Sequence, residues 1–245
     1  MPTTSVQLYS VRDAVADDLD GAVARLAGIG FAHVEPYAFH LRAEDYRRAF
    51  AAAGVTAPSG HAAVIDSDRP EDAFDAAAAL GMATVIDPFV PAERWQTLDQ
   101  VASLADRVNA LAELASARGV EFGYHNHAWE LSTRIDGRPV LELFAERLEP
   151  RVVLEVDTYW AAVGGADPAA LLRGLGERVR LIHVKDGTLD GDVARQQPVG
   201  SGEVDVRGVL AAAPEAVRVV EFDAYAGDLF EGLAGSLAWL AENDR

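Results

Sequence analysis

The stretch Gly123-Tyr124-His125-Asn126-His127-Ala128-Trp129-Glu130 begins as a strand and ends in side chains that bind metals or move protons. Three later apolar segments end in a similar way, in the pairs Glu155/Asp157, His183/Lys185 and Glu221/Asp223. Residues two apart on a strand point to the same face, so each pair aims two functional groups into one space. Four strands in succession doing this imply one shared site.

Outward from that stretch the chain repeats a phrase of helix, glycine, apolar strand and polar residue. It runs through Gly30 to Glu35, Gly54 to His61, Gly81 to Asp87 and Gly119 to His125. Each glycine stands where a helix end needs a left-handed residue, and the Ala-rich segments before them favour helix. A short first strand, Val6 to Tyr9, and later strands Val152 to Asp157, Arg180 to Lys185 and Arg218 to Phe222 bring the total to eight, with a last helix over Leu229 to Glu242. Alternating β and α elements imply a parallel sheet, and eight units imply closure into an α/β, single (β/α)8 TIM barrel; a doubly wound open sheet is the alternative. Such barrels take roughly 250 residues, so the 245-residue chain reads as one domain over residues 1–245. The least regular segments, Trp129 to Pro139 and Asp186 to Asp205, follow the fifth and seventh strands. That puts them at the C-terminal face, where barrel enzymes carry their chemistry. Asp167-Pro168 and Asp205 are placed to open helices.

Composition narrows the function. Hydrophobic residues make up 50% of the chain and charged ones 24%, a balance that supports a packed core. Without cysteine, disulfides, thiolate zinc sites and a cysteine nucleophile are excluded, and any metal must be held by His and carboxylate. No apolar run approaches the ~20 residues needed to span a bilayer, and Met1 to Ser5 lacks a basic then apolar leader, so a cytoplasmic protein is expected. The 39 acidic residues against 21 basic ones give a formal charge of −18, which disfavours nucleic acid and anionic membranes as partners. A small molecule is the expected partner, with homo-oligomerisation left open.

Asp157, His183 and Glu221 end their strands, so closure gathers them on one rim. Mixed His and carboxylate ligation suits a divalent ion, with Mn2+ or Mg2+ favoured by the oxygen-rich set and Co2+ or Zn2+ also compatible. Any one of the three, taken alone, reads equally well as a salt-bridge partner or a cap. Lys185 shares a face with His183, where a cation stabilises an oxyanion or donates a proton; pairing with Asp157 or Glu155 is the structural alternative. Glu155 lies one layer deeper, where an unpaired carboxylate is costly. That makes it a ligand, a group that orients one, or half of an ion pair. Glu35 and His61 end the second and third strands and are expected to face the cavity, with His127 beside them. Tyr9 and Trp160 read as apolar walls of the cavity or as packing, and His33 and His40 as structural or surface residues. Gly200-Ser201-Gly202 lacks the third glycine and the strand-to-helix setting of a dinucleotide fingerprint. Walker and Gly-x-Ser-x-Gly motifs are absent, so NAD, ATP and serine hydrolysis have no support.

Taken in order, Gln7-Leu8-Tyr9-Ser10-Val11-Arg12, Val34-Glu35, Tyr124-His125-Asn126-His127, Asp157-Thr158-Tyr159-Trp160, His183-Val184-Lys185-Asp186, Gly200 to Asp205 and Val220-Glu221 resemble the xylose-isomerase-like barrel superfamily. This group is often named sugar phosphate isomerase/epimerase and includes sugar epimerases, inosose dehydratases and endonuclease IV. The resemblance implies a metal held by Glu, Asp, His and Glu. The last three carry over to Asp157, His183 and Glu221, while His125 stands where the epimerases have a glutamate. His125 then either replaces that ligand, giving the set His125, Asp157, His183 and Glu221, or acts as the base while Glu155 or Glu130 completes the coordination. His125, Glu155, Lys185 and Glu221 are the candidate catalytic groups. The chemistry implied is proton abstraction next to a carbonyl through an enediolate. Its outcome is isomerisation or epimerisation of an unphosphorylated sugar or cyclitol, or else β-elimination from keto-inositols or 3-keto glycosides. A nuclease is disfavoured by the charge, and a non-catalytic sugar-binding barrel stays as the alternative. The loops after strands seven and eight are acidic, which opposes a phosphorylated substrate, although Gly200 and Gly202 offer a small anion nest.

Overall fold

Strand-forming runs at the expected spacing produce eight parallel strands in the computed structural model, which describes residues 3–244. In chain order they are β1 (Thr4–Gln7), β2 (His33–Glu35), β3 (Ser59–His61), β4 (Thr84–Asp87), β5 (Glu121–His125), β6 (Val152–Asp157), β7 (Val179–Val184) and β8 (Val217–Val220). They pair in the order β2-β1-β8-β7-β6-β5-β4-β3. Two isolated parallel bridges, His33 to Thr56 and Tyr37 to His61, draw β2 and β3 together. The result is a nearly closed (β/α)8 barrel. Residues 1, 2 and 245 of the expected domain lie outside the described residues. None of the described helices is long and apolar enough to cross a membrane.

The glycines that close helices do so for the expected reason. Gly54, Gly81 and Gly119 have φ of 70°, 73° and 75°, a region that costs an L side chain energy and glycine little. Asp167 and Asp205 cap their helices by accepting the N–H of Ala170 and Gly208.

Period-two alternation sorts each strand into two faces. Phe122 and Tyr124 on β5, like Leu154 and Val156 on β6, point outward into the main apolar layer beneath the helices. Ile86, Val153, Leu181 and Val219 point inward and form a separate apolar plug low in the barrel. Gly123 belongs to this inner layer. A Cβ there would meet Val153 O at 2.5 Å and Ile86 Cδ1 at 2.9 Å, so the strands approach closely only because the side chain is missing. Above the plug the same inward positions become polar.

Three strand ends differ from expectation. β1 stops at Gln7, and Leu8–Val11 is a 3-10 turn, because the Gln7 side chain accepts the N–H of Tyr9. β7 stops at Val184, so Lys185 sits just past it. β8 stops at Val220, so Glu221 sits just past its strand, where the N–H of Phe222 donates to Ser10.

Candidate functional site

Inward-facing side chains of the last four strands, with those of β2 and β3, build two storeys above the plug. In the lower storey the carboxylate of Glu155 is the hub. Its Oε2 lies 2.6 Å from His61 Nε2, 3.0 Å from His125 Nδ1 and 3.1 Å from His183 Nε2. Glu35 accepts from Gln7 Nε2 at 2.9 Å and from the Ser59 hydroxyl, and lies 3.2 Å from His61 and 3.0 Å from His183. The upper storey centres on the Lys185 ammonium, with oxygens of Asp157, Glu221 and Asp223 at 2.8, 2.5 and 2.9 Å. Asp223 is held in turn by both ends of the Gln196 amide. His183 joins the storeys, with Nε2 facing Glu155 and Nδ1 lying 2.8 Å from Glu221.

Burial and partners set the charges. Burial opposes ionisation of Glu155, and nearby Glu35 adds to this, yet His183, His61 and His125 bring its pKa down to about 2. Burial likewise opposes the charged forms of Glu35 and Glu221, but their cationic neighbours hold both well below the usual carboxylate range. Asp157 goes the other way, because burial outweighs Lys185 and His183 and raises it to about 6. Among the imidazoles burial disfavours the cation. Glu155 and Glu35 overcome it at His61, which rises to about 10, and Glu155 and Glu221 overcome it at His183. At His125 burial and the charge of His183 prevail, so this ring is neutral. The ammonium of Lys185 is held by its three carboxylates against its burial.

A cavity of about 600 Å³ opens above the upper storey, a size typical of small-molecule sites. Tyr9, His61, His125, His127, Lys185 and Glu221 line it as expected. Two expected contacts do not. Glu35 is fully buried beneath the floor, because Gln7, Ser59 and two imidazoles grip its carboxylate. Trp160 lies outside the lining, because strand alternation ends at Asp157, which caps the short helix Thr158–Val163 by accepting the Trp160 N–H. Glu155, Asp157 and His183 also lie below the floor. Glu130 faces away from the cavity, accepting from Tyr124 Oη and the N–H of His127.

The lining also contains Tyr37, His40, Phe89 and Asp223. His40, read as structural or surface, reaches the mouth because Ala38 takes a left-handed conformation, φ 45°, and starts a 3-10 turn. No periodic pattern announces such a turn. Phe89 packs edge-on to His127 and Trp129, whose rings stack at 4.3 Å. The expected anion nest is already filled. Asp186 accepts N–H bonds from Gly187, Gly200, Gly202 and Val204 at 2.9 to 3.1 Å, so the carboxylate at the end of β7 takes the place an external phosphate would need.

The profile of the family described as "Xylose isomerase-like TIM barrel" matches residues 23–217. The chain belongs to that family. A sugar phosphate isomerase/epimerase from Parabacteroides distasonis ATCC 8503 superposes on this xylose isomerase-like barrel with a TM-score of 0.83 at 23% identity, over 98% of this chain and 93% of the other. A xylose isomerase-like TIM barrel protein from Mycobacterium smegmatis, in complex with magnesium, gives 0.73 at 17% identity over 98% and 95%. An inosose dehydratase from Geobacillus kaustophilus (strain HTA426) is 32% identical over 85 residues, which span 34% of this chain and 27% of that protein.

Two features of the donor set fit a divalent ion in this family member. Asp157 Oδ2 and Glu155 Oε1 are buried and accept no hydrogen bond; Lys185 Nζ approaches the former without the alignment of one. With Asp157 ionised, five buried or half-buried carboxylates around Lys185, His61 and His183 leave an excess of two negative charges. Ligand atoms of Asp157, His183 and Glu221 lie within 4.8 Å of one another. His125 belongs instead to a second such group with His61, Glu155 and His183, its Nε2 standing 3.7 Å from Asp157.

Proposed function

We propose that the protein is a metal-dependent isomerase or epimerase of an unphosphorylated sugar or cyclitol, acting by proton abstraction next to a carbonyl. The observation that supports this most is the convergence of Asp157 and His183, beneath the floor of a cavity, with Glu221 in its lining, where a neutral imidazole and an ammonium also open. Asp157, His183 and Glu221 would hold the divalent ion, with His125 as a fourth ligand or as the base. Mn2+ or Mg2+ suits the oxygen-rich side, and the magnesium in the M. smegmatis barrel is consistent with that choice. When bound, such an ion supplies Lewis-acid polarisation of the substrate carbonyl.

The chain's own groups divide the remaining work. His125 is neutral and lines the cavity, so it can accept the proton from the carbon next to the carbonyl. Lys185 carries the charge that stabilises the developing oxyanion and can return a proton to it. Glu155 fixes the His125 ring through Nδ1, which leaves Nε2 on the upper side. Glu221 and Asp223 hold the ammonium in place. Tyr9, Tyr37 and Phe89 give the cavity apolar walls against which a ring can lie. The filled nest at Asp186 and the acidic loops support an unphosphorylated substrate.

Incubation with keto-sugars in deuterated buffer with Mn2+ tests the reading. Deuterium should enter at the carbon next to the carbonyl, faster than with the phosphate ester of the same sugar. Binding without exchange would leave a sugar-binding barrel. The match to an inosose dehydratase favours one second reading, β-elimination from a keto-inositol or 3-keto glycoside. It shares the first proton transfer and would show as loss of the β-substituent.

A further inference from the structure

His183 and His125 each present their two ring nitrogens to different storeys. Nε2 of His183 and Nδ1 of His125 lie 3.1 and 3.0 Å from Glu155 Oε2. Nδ1 of His183 and Nε2 of His125 lie 4.0 and 3.7 Å from Asp157 Oδ2. His61 Nε2 completes the lower group at 2.6 Å from the same Glu155 oxygen. The other oxygen of that carboxylate, Oε1, is buried and accepts nothing.

We infer that the barrel contains a second, deeper cation position, formed by His61, His125, His183 and Glu155, which competes with the Asp157/His183/Glu221 position for one ion. This rests on the proposed function only in taking the upper group as an ion site. The lower set offers three imidazoles and one carboxylate, a donor mix that suits Zn2+, Co2+ or Ni2+, whereas the upper set is rich in oxygen and suits Mn2+ or Mg2+. Its atoms already converge on one oxygen. A turn of the Glu155 carboxylate towards its unused Oε1 opens the centre between the three nitrogens. The ion takes the place of the imidazole protons, as metals do at histidine sites.

Competition follows from His183. A neutral imidazole has one lone-pair nitrogen and one N–H, so this ring serves the lower position through Nε2 or the upper through Nδ1, and only a doubly deprotonated ring would serve both. The identity of the metal therefore selects the storey. An ion held below is screened from the cavity by His61 and His125, and an ion held above touches the space where substrate fits. The wrong metal would then bind tightly and leave the mouth without its ion.

The test uses Co2+ and Mn2+ alone as probes on the intact chain. Titration calorimetry with the native protein, His61→Gln and Glu221→Gln should give opposite patterns, with folding of each variant verified by circular dichroism. His61→Gln should weaken Co2+ at least tenfold and change Mn2+ less than threefold. Glu221→Gln should weaken Mn2+ at least tenfold and change Co2+ less than threefold. X-ray absorption on the native protein adds a readout free of variants: Co2+ should carry three imidazoles and Mn2+ one or two. Parallel losses of both ions in both variants, or a single imidazole on Co2+, would overturn the inference. Failure of Mn2+ to bind at all would count against the upper ion site of the proposed function, and the Co2+ results would still decide the lower one.

Discussion

Buried carboxylates occur in two settings in this barrel, and they are satisfied in different ways. Behind the mouth, Asp186 takes four backbone N–H groups, and Asp87, the last residue of β4, takes those of Val64, Ile65 and Phe89. In the lumen, Glu155 and Glu221 face imidazoles and an ammonium instead, as does Oδ2 of Asp157, whose Oδ1 takes the Trp160 N–H. A backbone N–H cannot leave, so a carboxylate that it satisfies is part of the scaffold. A side-chain cation can turn away or lose its proton, so a carboxylate paired with one can exchange that partner for a metal or a substrate. The type of partner separates framework acid from working acid.

The sharpest way to break this contrast is to remove Asp186. Asp186→Ala strands four N–H groups at the root of the long loop, and a loss of about 3 kcal/mol is expected, since unsatisfied buried donors cost roughly 1–3 kcal/mol each and water recovers part of it. At roughly 2–4 °C per kcal/mol for a chain of this size, the melting temperature should fall by about 10 °C. A fall under about 2 °C would place Asp186 outside the framework.

Asp157→Asn should do the reverse. The amide oxygen can still accept the Trp160 N–H, so the helix cap survives, while Mn2+ affinity should drop by at least about 100-fold, beyond the ~10–100-fold typical of groups that only orient a ligand. Metal content and melting curves with and without chelator measure both. Unchanged metal content, or a collapse in melting temperature comparable to that of Asp186→Ala, would remove Asp157 from the working class.

Glu130 is the intermediate case, with one N–H and one phenol for partners, and burial raises its pKa from 4.5 to about 7. A carboxyl raised on folding stabilises the fold fully below its unfolded pKa and loses that contribution as pH rises through the folded value. The melting temperature of native protein minus that of Glu130→Gln should therefore decline between pH 4.5 and about 8, by the equivalent of about 2–3 kcal/mol. A flat difference would refute the shift.

The smallest effect concerns Lys185. Removing its charge from between Asp157 and Glu221 should tighten Mn2+ binding about tenfold, or about 1.4 kcal/mol, while proton exchange on substrate falls. Calorimetry on Lys185→Met gives the sign. Weaker Mn2+ binding would mean that the ammonium supports the ion site rather than competing with it.

The lumen-facing set was largely visible in the sequence, because it depends on local periodicity. Glu155, Asp157 and His183 occupy alternate positions on strands, and Lys185 continues the alternation just past β7, so their face is assigned without knowledge of the rest. The helix-glycine-strand phrase exposes the barrel for the same reason. The framework class was hidden. Asp186 reads as one more acid in an acidic loop until that loop returns, 14 to 18 residues later, to place Gly200, Gly202 and Val204 around it. His40 and Phe89 reach the mouth through turns that no period foretells. Glu35 faces the lumen as alternation requires, but its depth there is decided by Ser59 and His183, on other strands.

The seam between β2 and β3 gives these charges a mechanical meaning. Among the described residues, backbone bridges join this seam only at His33 to Thr56 and Tyr37 to His61. In the interval between them, the Glu35 carboxylate reaches across to the Ser59 hydroxyl and to His61. These side chains act as a clasp where the hydrogen-bonded ladder is interrupted. Whatever draws His61 inward loosens the clasp, so the hoop of strands is tied to the charge state of its own interior.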